Sequence, residues 1–149
     1  MATNTWTIIS GVLLIWAIGA TVGLAYYYQN SQNQQVIINN YKSVIDNVAI
    51  KVNLGFDYGN GTTVWKNDTY VPIGFSLLNG TLKAAQVNYT VYSYGVWVNG
   101  INGVFENVAQ NTYWVYYIWS NNNWEMGPVG ADQYILKNGE SVKWILTKF

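Results

Sequence analysis

Carboxylates and aromatic rings are the side chains of this sequence that could do chemistry. Asp57 and Asp68 flank a predicted β-hairpin, and Glu125 and Asp132 flank a Gly-Pro step. A pair of carboxylates can serve as acid and base in glycoside hydrolysis. No spacing in the sequence ties either pair into one cleft, and acidic residues in such positions commonly form turns or lie solvated in loops. We therefore predict that the chain is not an enzyme and has no catalytic residues.

The residue types that hold most metals and cofactors are missing. The chain has seven basic and seven acidic residues, a net charge of zero, no His and no Cys. The usual ligands of zinc, haem and iron–sulfur clusters are therefore absent, as are His-based triads and thiol nucleophiles. Nucleic-acid binding requires a basic stripe, which this sequence lacks. We predict no metal site, no cofactor and no nucleic-acid partner.

Aromatic residues are abundant, with eight Trp and thirteen Tyr among 149 residues. Exposed Trp and Tyr side chains stack on sugars and anchor protein interfaces. The segment from Tyr113 to Trp119 reads YWVYYIW, and a strand places alternate residues on opposite faces. One face should be buried and the other should require a partner, either a glycan or another protein subunit. The predicted interaction aromatics are Trp97, Trp119, Trp124 and Tyr134.

An apolar segment near the N-terminus is long enough to anchor this protein in a membrane or in the core of a filament. It runs from Trp6 to Tyr27, and no charged residue precedes Lys42. About 20 apolar residues cross the ~30 Å hydrocarbon core of a membrane, and Trp and Tyr at the two ends of such a helix are typical of an aromatic belt. We predict a transmembrane or filament-core helix over residues 6–28, after a tail over residues 1–5.

Two other features of this segment leave alternatives open. A small-residue pattern would permit signal-peptide cleavage after Ala25, but the basic n-region of a signal peptide is absent. Gly19 and Gly23 form a G-x-x-x-G pattern, which lets helices in a membrane approach closely. They are the predicted helix-packing residues, although glycine is also simply frequent in membrane helices.

The elements after this helix indicate an α+β domain. Apolar residues at helical spacing predict a polar, amphipathic stem over residues 29–47. Period-two alternation then predicts strands, with one hairpin turning at residues 58–61 and another at Asn99-Gly100. Ser76 is the predicted N-cap of a short helix that buries Leu77, Leu78 and Leu82. The helix should cover one face of a mostly antiparallel sheet, within a domain over residues 48–149.

This domain resembles a known family, the transcobalamin-like C-terminal domain, a β-grasp module of secreted and membrane-anchored bacterial and archaeal proteins. The matching segments are, in chain order, residues 48–62, Val71-Pro72-Ile73-Gly74, the helix FSLLNGTL, GVWVNGINGV around Ile101-Asn102-Gly103, YWVYYIW, residues 127–136 and the closing NGESVKW. The resemblance implies a β-grasp fold and a binding or interaction module, with cobalamin contact in the namesake. It does not imply cobalamin binding here, because no domain that would form the other wall of a corrinoid site lies in this sequence.

Four N-x-S/T sequons bear on where the domain lies. They begin at Asn60, Asn67, Asn79 and Asn88, and each is a formal glycosylation acceptor. Asn, Ser and Thr are common in this chain, so some sequons arise by chance. We nevertheless expect a single-pass protein of the cell membrane, with its C-terminal domain outside the cell.

Three functional hypotheses follow. The first is a membrane-anchored, non-enzymatic subunit of a cell-surface or membrane-protein assembly, whose partners are neighbouring apolar helices, other subunits or further copies of itself. The second is a pilin-like subunit of an extracellular helical filament, although a short basic leader is absent. The third is a corrinoid- or glycan-binding module.

Overall fold

The computed structural model describes residues 5–149, apart from the side chains of Thr5 and Thr7, and the chain divides between Asn47 and Val48 into two compact units. Of the predicted tail over residues 1–5, only Thr5 is described. In chain order the elements are α1 (Thr5–Val48), β1 (Ala49–Asp57), β2 (Thr63–Pro72), α2 (Leu77–Ala84), β3 (Val87–Tyr92), β4 (Gly95–Ile101), β5 (Val104–Phe105), a 3-10 turn (Val108–Gln110), β6 (Thr112–Ser120), β7 (Asn123–Met126) and β8 (Ser141–Lys148).

The described part of the N-terminal unit is one uninterrupted helix, α1, which covers both the predicted span and the predicted stem. From Ile8 to Val48 it contains a segment long and apolar enough to cross a membrane, with a mean hydropathy of 2.2. All its described side chains are exposed. The Ser10 and Thr21 hydroxyls donate to carbonyls four residues earlier, each over 2.7 Å, so these polar groups are satisfied within the helix.

The C-terminal unit contains two sheets and one short helix, and the predicted α+β class is confirmed. Five strands form a sheet in the order β2-β1-β8-β6-β7, and three form a second sheet in the order β3-β4-β5. The sequence predicted a single, mostly antiparallel sheet. The pairing of β1 with β8 is parallel, whereas the other pairings are antiparallel.

The core lies between the two sheets and α2. Alternate residues of β6 enter it, because Trp114 and Tyr116 are buried whereas Trp119 on the opposite face is exposed. The buried apolar residues are Val52, Leu54, Phe56, Val71, Leu77, Leu78, Val98, Ile101, Trp114, Tyr116, Ala131, Leu136, Val142 and Trp144. The predicted two-faced character of the YWVYYIW strand is therefore what the structure shows.

Helix α2 begins where the sequence predicted, because the Ser76 side chain accepts a hydrogen bond from the Asn79 amide. Leu77 and Leu78 are buried as expected, but Leu82 is 42% exposed, so the prediction for Leu82 was wrong. Its place facing the sheet is taken by Thr81. The Thr81 hydroxyl is buried and accepts a hydrogen bond from the Trp144 indole over 3.0 Å.

The predicted turn at Asn99-Gly100 was also wrong. Strand β4 continues through these residues, although its register against β3 shifts at Asn99, and the chain reverses at Asn102-Gly103 instead. Asn102 and Gly103 have φ of 50° and 79°, as a type I′ turn requires at both central residues. A Cβ atom at Gly100 would lie 2.7 Å from the Phe105 ring, so this glycine serves close packing within the sheet.

Candidate functional site

The loop over residues 127–131 separates two openings of the C-terminal domain. It is fixed at Tyr116, whose hydroxyl donates to the Val129 carbonyl over 2.6 Å and whose carbonyl accepts from the Gly127 amide. Further along, the Ala131 carbonyl accepts a hydrogen bond from the Leu78 amide. This bond satisfies one of the free amides in the first turn of α2 and holds the loop beside the helix. Burial raises the pKa of the Tyr116 hydroxyl above its ordinary value, so at neutral pH this group is protonated and can donate its hydrogen bond to Val129.

The first opening is an apolar cavity of about 260 Å³ between β4, β6 and this loop. It is lined by Val96, Trp97, Val98, Trp114, Val115, Tyr116, Met126, Gly127, Val129, Gly130, Ala131 and Trp144. Trp97 is 39% exposed, and its indole is oriented by a 2.7 Å hydrogen bond to the Glu106 carboxylate. The cavity can therefore take an apolar group against fixed aromatic walls. Its volume is slightly below the ~300–1,000 Å³ typical of ligand pockets.

The second opening is a polar cleft of about 320 Å³ on the other side of the loop. It is lined by Ile118, Trp119, Ser120, Glu125, Met126, Pro128, Tyr134, Lys137 and Glu140. The Glu140 carboxylate accepts hydrogen bonds from the Tyr134 hydroxyl and the Lys137 amide. Burial, and after it the hydrogen bond to Glu140, raise the pKa of Tyr134 well above its ordinary value. The cleft thus combines an exposed indole with carboxylate oxygens and a neutral phenol.

A third aromatic group lies on the outer face of the five-stranded sheet. Trp65 and Trp124 stand on its two edge strands, four strand spacings or about 19 Å apart. Their ring centroids are nevertheless only 6.0 Å apart, so both indoles extend across the sheet. Trp65 does so over Gly55, where a Cβ atom would lie 2.9 Å from the indole. The Lys143 amine lies 4.6 Å from the Trp124 ring centroid, in a cation–π contact.

The structure places the four predicted interaction aromatics in three different surroundings. Trp119 and Tyr134 line the same polar cleft, whereas Trp97 lines the apolar cavity. Trp124 packs edge-on against Trp119, with centroids 5.2 Å apart, on the outer face of the sheet. The sequence analysis did not single out Glu140 as a partner of Tyr134. In the sequence, only the turn Lys137-Asn138-Gly139-Glu140 could have indicated this contact, because it brings the Glu140 carboxylate back toward the start of β8.

The acidic residues considered as catalytic pairs lie in different surroundings. Asp57 accepts the Gly59 amide in a local turn, and Asp68 lies 3.9 Å from Lys51 with its side chain 76% exposed. Asp132 accepts the Val96 amide at the start of β4, whereas Glu125 lines the polar cleft. Within residues 5–149, no cluster of three or more acidic, His or Cys side chains could hold a metal ion.

The remaining predicted residues lie on the surface. The four sequon asparagines are all exposed: Asn60 in the loop after β1, Asn67 in β2, Asn79 in α2 and Asn88 in β3. Gly19 and Gly23 lie on α1 with nothing within 4 Å of where a Cβ would stand, so this strip of the helix is open to a neighbour.

The C-terminal domain has a transcobalamin-like fold with two openings at its surface. The chain belongs to the family described as a domain of unknown function, DUF4430, whose model matches residues 74–148, half of the chain. No curated protein matches the sequence.

Two solved structures are similar to this domain. Haptocorrin, solved in complex with Cbi, superposes with a TM-score of 0.56 at 25% identity; the match covers 68% of this chain and 25% of haptocorrin. A protein of Ruminococcus gnavus ATCC 29149 that has been proposed to bind metal superposes with a TM-score of 0.57 at 13% identity; the match covers 67% of this chain and 98% of that one. The second likeness concerns the fold alone. This chain spans a quarter of haptocorrin's length.

Proposed function

We propose that this chain is a non-enzymatic binding and interaction module, held in a cell membrane by α1 with its C-terminal domain outside the cell. The observation that carries the proposal is the exposure of α1. Every described residue from Ile8 to Val48 is exposed, although the part up to Tyr27 is strongly apolar and no charge precedes Lys42. Such a surface is stable in lipid or against other apolar helices. The open strip at Gly19 and Gly23 is where a neighbouring helix can approach.

The outward orientation is supported by the domain itself. Its four sequon asparagines are exposed, and it has no Cys whose oxidation would matter outside the cell. Protease treatment of intact cells is the test. We expect the domain to be digested along with known surface proteins, and sugar to be found on peptides that contain Asn60, Asn67, Asn79 or Asn88. A domain that stays fully protected while other surface proteins are cut would overturn the orientation.

The competing assembly is a filament with α1 in its core. Electron micrographs of filaments with this chain as the repeating unit would replace the membrane anchor in the proposal. The mass of the native N-terminus distinguishes the two at lower cost, because a processed N-terminus favours the filament whereas an intact Met1 favours the anchor.

The ligand of the binding module is best sought in the apolar cavity beside Trp97. The likeness to haptocorrin makes corrinoids the first candidates, and the small volume means that the cavity would hold one part of such a ligand rather than enclose it. The test is a titration of Trp fluorescence with Cbi in the full-length protein. We expect saturable quenching that is lost in Trp97→Ala and retained in Trp119→Ala. A signal that does not change at millimolar Cbi would exclude this ligand.

A glycan in the polar cleft is a second candidate, favoured by the meeting of Trp119, Tyr134 and Glu140 in one opening. An exposed indole can stack on the apolar face of a sugar while carboxylate oxygens accept hydrogen bonds from the hydroxyl groups of the sugar. Titration with glucose, galactose, mannose and N-acetylglucosamine tests this role. Here Trp119→Ala should abolish binding and Trp97→Ala should preserve it, so each variant is the control for the other site. Absence of binding by all four sugars would count against the cleft.

A further inference from the structure

We propose that β3 is a self-association edge, which pairs antiparallel with β3 of a second copy of this chain. Among the described residues, β3 pairs with β4 alone, so its other side presents backbone amides and carbonyls without a partner strand. Such an edge is a template for adding a strand, with affinity from main-chain hydrogen bonds. This inference goes beyond the proposed function, because it does not depend on which ligand the domain binds; of the four sequon asparagines, it requires only that Asn88 carries no glycan.

The side chains of β3 make this edge apolar. Val91 is 70% exposed, and Tyr89 and Tyr92 are 44% and 46% exposed. Tyr94, in the turn that follows, is 74% exposed and stacks on Tyr92 with parallel rings 5.2 Å apart. Apolar side chains as exposed as these, next to an unpaired strand, are typical of an interface rather than of a solvated edge.

The other edges of the two sheets carry features that block pairing. Edge strand β2 bears the charged Lys66 and Asp68, the latter at φ 50°, and carries an extra residue opposite Val52 and Leu54. The pairing of β3 with β4 also shifts register, between Asn88 and Tyr89, but there the extra residue, Asn99, lies on β4. Edge strands β7 and β5 have only four and two residues. Charges, irregular backbone and short length are the usual protection of sheet edges. Six-residue β3 has neither charge nor proline, so it is the least protected edge of the described domain.

A second copy is the occupant that the charge pattern favours. Between Lys83 and Glu106 the sequence contains no charged residue, so the three-stranded sheet is uncharged throughout. Two copies can therefore meet about a twofold axis without like charges opposite each other. A charged partner would find no complementary group there. At every second position of β3, Val and Tyr follow one another, so an aromatic side chain of one copy can pair with a β-branched side chain of the other across the axis.

Cysteine cross-linking tests this geometry sharply, because the chain has no cysteine of its own. Single variants Asn88→Cys, Tyr89→Cys, Thr90→Cys and Val91→Cys of the full-length protein in detergent should form disulfide dimers, with a maximum at one position or two neighbours. The matched controls are Val64→Cys and Asn67→Cys on exposed positions of β2, and they should remain monomeric under the same oxidation. Cross-linking equal to the controls at all four β3 positions would overturn the proposal.

A charge substitution gives an independent readout by light scattering. We expect Val91→Lys to raise the dimer dissociation constant about tenfold or more, since each dimer gains two lysines at one interface. The control Val64→Lys should leave the dissociation constant unchanged. A dimer that persists in Val91→Lys but dissociates in Gly19→Leu would place the contact on α1 and contradict the assignment to β3. A glycan on Asn88 of the native protein would cover this edge and would also overturn it.

Discussion

At the scale of single residues, the loop beside the two openings depends on a glycine. A Cβ atom at Gly127 would lie 2.0 Å from the Cζ atom of Tyr116, and the ring cannot move away without breaking its hydrogen bond to Val129. The tyrosine ring therefore lies directly against the backbone of Gly127, and both residues line the apolar cavity.

We expect Gly127→Ala to lower the free energy of unfolding by about 2 kcal/mol or more, through overpacking and the loss of a buried hydrogen bond. Thermal unfolding followed by Trp fluorescence measures the effect. The control is Gly61→Ala, where a Cβ meets no atom within 4 Å but φ is 78°, so that only the backbone strain of about 1–2 kcal/mol is incurred. Equal losses in the two variants would mean that the Tyr116 contact is not limiting.

The Tyr134 hydroxyl makes the domain sensitive to alkaline pH. Its pKa is raised in the folded protein by burial and by the hydrogen bond to Glu140, so the unfolded chain loses this proton first. Because the unfolded state then binds fewer protons, the free energy of unfolding decreases as the pH rises above the ordinary tyrosine pKa of about 10. Below that pH the contribution is fully present.

Unfolding midpoints measured from neutral to alkaline pH test this expectation. The midpoint should fall above pH 10, and Tyr134→Phe should fall less steeply. The exposed Tyr94 gives a control, since Tyr94→Phe should follow the unaltered protein. If Tyr134→Phe declined just as steeply as Tyr94→Phe, ionisation of Tyr134 would not be the cause.

At the scale of elements, one buried hydrogen bond joins α2 to the five-stranded sheet. The Trp144 indole of β8 donates to the Thr81 hydroxyl of α2 over 3.0 Å, and the same hydroxyl donates to the Leu77 carbonyl. Both side chains are buried, so neither group can exchange this partner for water.

Thr81→Val should therefore destabilise the domain by about 1–3 kcal/mol, because it keeps the shape of the side chain but leaves the indole donor unsatisfied. Thr81→Ser keeps the hydroxyl and should retain the bond, at the smaller cost of one lost methyl group. Denaturant unfolding of both variants compares them directly. A serine variant less stable than the valine variant would show that packing, and not the hydrogen bond, ties the helix to the sheet.

At the scale of the whole molecule, all buried apolar residues of the part that the structure describes lie between Val52 and Trp144, within the C-terminal unit. We expect residues 48–149 to fold without α1, because no residue described as part of their core comes from that helix. Circular dichroism and a cooperative thermal transition of the isolated domain are the measurements. A chain that binds a hydrophobic dye strongly and melts without a cooperative transition would contradict this independence.

Much of this architecture was predictable because its causes are local. The membrane-length helix follows from a segment without charge before Lys42, and the first hairpin from period-two alternation around the turn at residues 58–61. The N-cap at Ser76 likewise needs only its own helix. In each case the residues that decide the structure lie within a few positions of one another, so the sequence by itself determined these elements and the α+β class.

What only the tertiary structure decided depends on contacts distant in sequence. Two Asn-Gly pairs, Asn99-Gly100 and Asn102-Gly103, could each have formed the turn after β4. The second forms it, because the Asn102 side chain accepts a hydrogen bond from the Gln86 amide while the Phe105 ring covers Gly100. The sequence alone could not show whether Leu82 or Thr81 faces the sheet, because Thr81 bonds Trp144, which is 63 positions away. The polar cleft forms where β6, the 127–131 loop and the turn before β8 converge, and this convergence brings Trp119 to Tyr134 and Glu140. Local patterns indicated the apolar face of β6, whereas packing decided which side chains of α2 face the sheet.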